Sequence, residues 1–196
     1  MGLGEPVGFN PDLKCNASIG IDCHANNSAD ILTQLRFGMQ HARGADNVRA
    51  VEAGEYPSVK IRLEEVFNLG TLQGARAVGM GDDIGSIEVG KLADIVVFNG
   101  TSPNMVCAAE EDPLAAVVLH ANVGDVEMVI VDGVVRKEAG RLVDVGVLDG
   151  IDGEVGEILS QRYVSRRLLE SRGRVIERAE GQNAGRGMEF LYKTFG

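Results

Sequence analysis

Ile84-Gly-Ser-Ile-Glu-Val-Gly-Lys-Leu-Ala-Asp-Ile-Val-Val-Phe98 is the stretch from which the fold is read. Gly85 and Gly90 permit turns, Lys91 and Asp94 flank the bend, and Ile95 to Phe98 form a β-branched and aromatic run that suits a strand. Further on, Val126 to Val131 pairs naturally with Val134 to Lys137 across Asp132-Gly133, a two-residue hairpin signal. The middle of the chain is therefore expected to be mainly β.

Upstream the pattern is that of a strand followed by a helix. Residues 15 to 22 are small and β-branched and suit a buried strand ending at Asp22. Asn27 or Ser28 is expected to cap a helix whose Ile31, Leu35, Gly38 and Ala42 share a face, with Gly44 as its stop. A second helix is expected over 62 to 79, lined by Leu63, Phe67, Gly70, Gly74 and Ala77, with a neighbour packed close at its glycines. Downstream, Val155, Ile158, Leu159, Tyr163 and Leu169 predict a helix over 154 to 171, with Gly173 as its break.

The chain has 196 residues, 44% of them apolar, and a formal charge of −10. That sign argues against nucleic acid and anionic membranes as partners. Residues 154 to 196 are the exception, with 8 basic and 6 acidic side chains against 11 and 23 before them. Cys15, Cys23 and Cys107 have neither the even count of a disulfide framework nor CxxC spacing. Without an apolar run near the ~18 residues of a membrane span, a cytoplasmic protein is expected.

The stretch from Ile84 to Phe98 closely resembles the segment that follows the barrel in the amidohydrolase superfamily. Ser18-Ile-Gly-Ile-Asp22, followed by Asn26-Asn-Ser-Ala-Asp30 and Arg36, resembles the end of the eighth barrel strand in the branch of cytosine deaminase, S-adenosylhomocysteine deaminase and triazine chlorohydrolase. The resemblance implies an α/β fold: the C-terminal portion of a (β/α)8 TIM-like barrel, strands of the amidohydrolase β-sandwich and a C-terminal helix. Residues 1–79 would be the last βα portion of the barrel, 80–149 the sandwich strands and 150–196 a helical tail.

By the same resemblance Asp22 is both metal ligand and catalytic proton shuttle. By position alone it is equally a loop or capping aspartate. His24, two residues on, is a substrate-loop candidate, and His41 is expected near a helix C-terminus in a structural role. The implied activity is hydrolysis of carbon–nitrogen bonds other than peptide bonds, a metal-dependent deamination of small N-heterocycles such as aminopurines or aminopyrimidines. The implied cofactor is a divalent metal, zinc or iron. The family's other ligands include a His-x-His pair, whereas the histidines here are His24, His41 and His120 and no His-x-His occurs. A catalytic zinc takes about three protein ligands, so the chain reads as truncated, expected not to retain the metal and to be inactive alone. Self-association through an exposed barrel edge is expected. The alternative is a noncatalytic remnant or partner-binding module.

Overall fold

The structure is a computed structural model that describes residues 7–10, 12–13, 17–21, 29–149, 154–180, 189 and 192–193. The chain divides into two compact units, Met1–Arg141 and Leu142–Gly196. No helix among the described residues is long and apolar enough to cross a membrane.

The first unit is organised by α1, Ile31–Glu52. Its cap is Asp30, extended at φ −137° and ψ 141°, and not Asn27 or Ser28, which lie outside the described residues. Nor does Gly44 stop it. A single helical glycine costs only about 1 kcal/mol, and buried Ala42 and Ala50 on either side hold the helix together. It ends at Gly54 (φ +74°), where Gly54 N donates to Val51 O and Glu55 N to Ala50 O, the paired bonds of a Schellman close. His41 consequently falls mid-helix.

Two short helices, α2 (Leu63–Leu69) and α3 (Leu72–Ala77), replace the single helix expected over 62 to 79. The chain breaks at Gly70, whose absent side chain leaves room for Leu35: a Cβ there would sit 3.0 Å from Leu35 Cδ1. The close packing expected at the glycines is thus found at this one, although the buried residues are Val66, Leu69 and Ala75.

After a loop come β1 (Ile95–Phe98), α4 (Val106–Glu111), α5 (Pro113–Ala115), a π-helical turn over Ala116–His120, β2 (Val126–Val131), β3 (Val134–Glu138) and β4 (Arg141–Leu142). The sheet order is β1-β2-β3-β4. β1 and β2 are antiparallel with Ile95 opposite Ile130 and Val97 opposite Met128. The β2–β3 hairpin turns at Asp132 (φ 50°) and Gly133 (φ 74°), two consecutive left-handed residues as the Asp-Gly pair predicts.

Two apolar clusters meet on α1. Leu35, Met39 and Ala42 pack with Ile61, Val66, Leu69 and Val118. One turn earlier, Leu32 packs with Met105, Ala116, Ala121 and Val126.

In the second unit, β5 (Val145–Asp149) pairs antiparallel with β6 (Glu154–Leu159), and α6 runs over Gln161–Glu180. The helix expected from 154 is therefore a strand up to Leu159. Val155 and Ile158 fit helical spacing, but β6 has a partner strand, with Gly146 opposite Ile158 and room at Gly146 for Val155 Cγ1, 2.7 Å from where a Cβ would stand. The α-helix starts after Ser160, whose Oγ accepts from Tyr163 N at 3.3 Å, and it continues through Gly173.

Candidate functional site

Asp22 and His24 lie outside the described residues, as does the loop that follows them to Ser28. The site is therefore described from the segments on either side.

On the approach, Ala17, Ile19 and Ile21 are half-buried while Ser18 and Gly20 are exposed, the two-residue alternation of extended chain. Among the described residues this segment is not paired into a sheet, so the expected strand over 15 to 22 is not formed there. An extended run forms a ladder only beside another strand. Ile19 instead packs against the first apolar cluster, as does Phe9.

On the exit, Asp30 fixes the first turn of α1. Its carboxylate accepts from Thr33 N at 2.7 Å and from Thr33 Oγ1 at 2.8 Å, which satisfies an end-of-helix N–H that has no partner within the helix. The Asp-x-x-Thr spacing is the sequence signal that could have located this cap. Two turns in, Arg36 Nε donates to Val118 O (3.1 Å) and Nη2 to Ala121 O (2.6 Å). Charge-assisted bonds of this kind are about twice as strong as neutral ones. They tie α1 to carbonyls at the end of the π-helical turn, 82 and 85 residues away in sequence. Periodicity gives no hint of this role, because Arg36 reads as a solvated helix residue.

The loop after α3 is built by the residues first quoted. Lys91 Nζ donates to Gly81 O at 2.8 Å and Ser86 Oγ at 2.7 Å, and lies 3.6 Å from the Glu88 carboxylate. The Ser86 hydroxyl and the Lys91 ammonium hold Glu88 below the ordinary carboxylate range. Gly85, at φ +89°, packs so close to α3 that a Cβ would lie 2.6 Å from Ala75 Cβ. Asp94 Oδ1 accepts from Asp132 N at 2.8 Å, pinning the β2–β3 turn to the start of β1. These are structural roles.

Asp125 is buried at 4% exposure. It accepts from Asn122 N at 2.8 Å and from Asn104 Nδ2 at 3.2 Å. Its carboxyl is held below the usual range first by the neighbouring Ser102 hydroxyl, then by these amides, against burial. Ser102 Oγ is itself buried and reaches no partner at full hydrogen-bond geometry, so the two amides are the firmer anchors.

A cleft of about 330 Å³ is lined by Arg43, Ile61, Arg62, Leu63, Asp112 and Leu114 among others. Its charged groups are engaged: Arg43 Nη2 donates to Ile61 O, Arg62 pairs with Glu64, and Asp112 accepts from Ala115 N. Among the described residues no group of three or more His, Cys, Asp or Glu side chains converges to hold a metal ion, so the described residues by themselves do not fit the metal that the resemblance implies.

Comparison with known proteins follows this geometry closely. The model of the amidohydrolase family matches residues 10–136. The 5'-deoxyadenosine deaminase of Methanosphaera stadtmanae is 32% identical over 137 residues, 69% of this chain and 29% of that protein. The 5-methylthioadenosine/S-adenosylhomocysteine deaminase of Syntrophobacter fumaroxidans is 29% identical over 133 residues, 67% of this chain and 28% of that protein. Among solved structures, an adenosine deaminase from Xanthomonas campestris with bound zinc aligns at a TM-score of 0.55 and 28% identity, over 66% of this chain and 27% of its own. The chain thus spans about three tenths of the length of these relatives.

Proposed function

Because this chain belongs to the amidohydrolase family, we propose that it is the closing portion of a metal-dependent hydrolase acting on carbon–nitrogen bonds other than peptide bonds. Residues 1–79 correspond to the last βα portion of the barrel, 80–149 to the sandwich strands, and 150–196 to a tail. The substrate class is a small N-heterocycle, an aminopurine or aminopyrimidine, and the reaction a hydrolytic deamination. The observation that carries this reading is the family match, which includes Asp22 and runs on through the hairpin to Arg136. The names of the relatives, deaminases of adenosine-type compounds, support the substrate class.

In this reading Asp22 is the catalytic carboxylate, accepting a proton and returning it to the leaving nitrogen. It also offers one ligand to the family's zinc or iron, and His24 contacts substrate from the same loop. Active-site residues of βα barrels stand where a strand passes into its βα loop, and Ile21 and Asp30 bracket such a loop here. A catalytic metal takes about three protein ligands, so residues 1–196 by themselves are expected neither to retain a stoichiometric metal after dialysis nor to deaminate. A second reading, a partner-binding module without catalysis, is favoured by the exposed apolar side chains of α6.

The test is Asp22→Asn in a polypeptide that joins these residues to the family's remaining barrel strands. kcat should fall by at least about a hundredfold, the low end for loss of a general acid–base group. The unfolding midpoint should stay where it was, since the two side chains are nearly isosteric. Equal turnover with Asn would reject Asp22 as the catalytic residue.

A further inference from the structure

We propose that Gly38 is a positioning residue for the Asp22 loop: the space left by its missing side chain seats Ile19 and Phe9, and so fixes the backbone that leads into Asp22. The inference rests on the assignment of Asp22 as the catalytic carboxylate.

Gly38 lies in the interior of α1, between the buried Leu35 and Met39. Glycine is a poor choice for such a position unless something needs the space. Here something occupies it. A Cβ at position 38 would stand 3.1 Å from Ile19 Cδ1 and 3.4 Å from Phe9 Cε2, inside the 3.5–4.0 Å or so at which carbon atoms pack best. Gly44, on the same helix, has nothing within 4 Å of its own built Cβ.

Crowding at position 38 has few ways to relax. α1 is held by the Asp30 cap at 2.7 and 2.8 Å and by the Arg36 bonds at 3.1 and 2.6 Å. Leu35 and Met39 are locked in the first apolar cluster. The displacement therefore passes to Ile19 and Phe9. Ile19 belongs to the half-buried set Ala17, Ile19 and Ile21, and Ile21 is covalently joined to Asp22, so a shift at Ile19 is passed along the chain to the carboxylate.

The glycine on the same helix that touches nothing supplies the control. In the purified 196-residue chain, Gly38→Ala should move the amide resonances of Ile19 to Asp22 and speed amide exchange at Ile19 to Ile21 by about tenfold, a local opening. Gly38→Val should do more. Gly44→Ala should leave these signals in place. Adding Ile19→Val to Gly38→Ala removes the Cδ1 atom that the new methyl meets, and should return the Gly20 to Asp22 resonances toward their original positions. In the complete-barrel polypeptide the same pair should lower and then restore kcat with KM little changed. If Gly38→Ala leaves the Ile19 to Asp22 signals unmoved, or moves them no more than Gly44→Ala does, or if Ile19→Val fails to restore them, Gly38 is not a positioning residue. The resonances are read without turnover, so they decide this point even if Asp22→Asn proves harmless, an outcome that would remove only the catalytic assignment.

Discussion

Helices α1 and α6 have almost the same length, 22 and 20 residues, yet they are held in different ways. α1 buries Leu32, Leu35, Met39, Ala42 and Ala50 and reaches across the sequence through Arg36. α6 has the more sharply divided apolar and polar faces, but none of its described side chains is buried, and Leu168 and Leu169 are 68% and 64% exposed. Its polar contacts stay local. Arg167 Nη1 donates to Tyr163 Oη at 3.0 Å, Arg166 stands 5.2 Å from the Tyr163 ring centre, and Glu170 lies 3.9 Å from both arginines. Amphipathic spacing makes a helix. What makes it part of a core is groups that reach distant chain, and those follow no period.

The largest effect that could break this contrast lies at Met39, which is fully buried in the first cluster. Met39→Ala should cost about 2–5 kcal/mol, the range for deleting a large buried side chain without full collapse of the cavity. Urea unfolding followed by circular dichroism measures it. A loss under about 1 kcal/mol would mean that α1 is held no better than an exposed helix.

The acid limb of the stability curve sharpens the comparison. Among the described residues the buried carboxylate, Asp125, lies in the first unit. Its folded-state pKa is depressed, so the unfolded chain binds its proton more readily. Its contribution is therefore complete above the unfolded value of about 4 and is lost as pH falls through the lower folded value. Stability of the first unit should rise with pH across that window. Asp125→Asn should flatten this rise and cost about 1–2 kcal/mol at neutral pH, as Asn104 and the Asn122 amide lose a charged acceptor. Amide exchange in α1, recorded between about pH 3 and pH 6 and corrected for the intrinsic rate, should show the change. An unchanged acid limb would show that the Asp125 carboxylate contributes nothing specific.

The same contrast explains which parts of the fold were legible in the sequence. The β2–β3 hairpin was, because Asp132-Gly133 carries its own turn conformation and Val126 to Val131 its own strand propensity. The end of α1 was missed by ten residues because Gly44 and Gly54 look alike in sequence, and only at Gly54 does the chain turn left-handed. β6 was missed because Val155 and Ile158 fit a helix as well as a strand, and the choice was made by pairing with Val145 to Asp149. The Asp-Gly-Ile-Asp-Gly run between the two strands was the turn signal to weigh. Of the site, Asp22 was named through resemblance, whereas Arg36 and Gly38 take their importance from residues far off in sequence or in the preceding segment. Spacing along a helix cannot report such partners.

The smallest expected effect tests the other half of the comparison. Leu168 should matter little to stability, because at 68% exposure most of its surface is already in water and folding removes little more. Apolar burial contributes about 25 cal/mol per Å² removed from water, so a side chain left mostly outside has little to lose on replacement. Leu168→Ser also lowers helix propensity, by a few tenths of a kcal/mol. Taken together, the change should stay within about 0.5 kcal/mol, the usual range for surface positions without special contacts. Urea denaturation of the purified chain, repeated at several protein concentrations, would measure it. A midpoint that moves with concentration in the parent chain and stops moving in Leu168→Ser would mean that this face is covered by another copy. A loss of 2 kcal/mol or more that is independent of concentration would mean that α6 is packed within its own chain. In that case the division between a helix held by distant partners and one held by its own neighbours would fail.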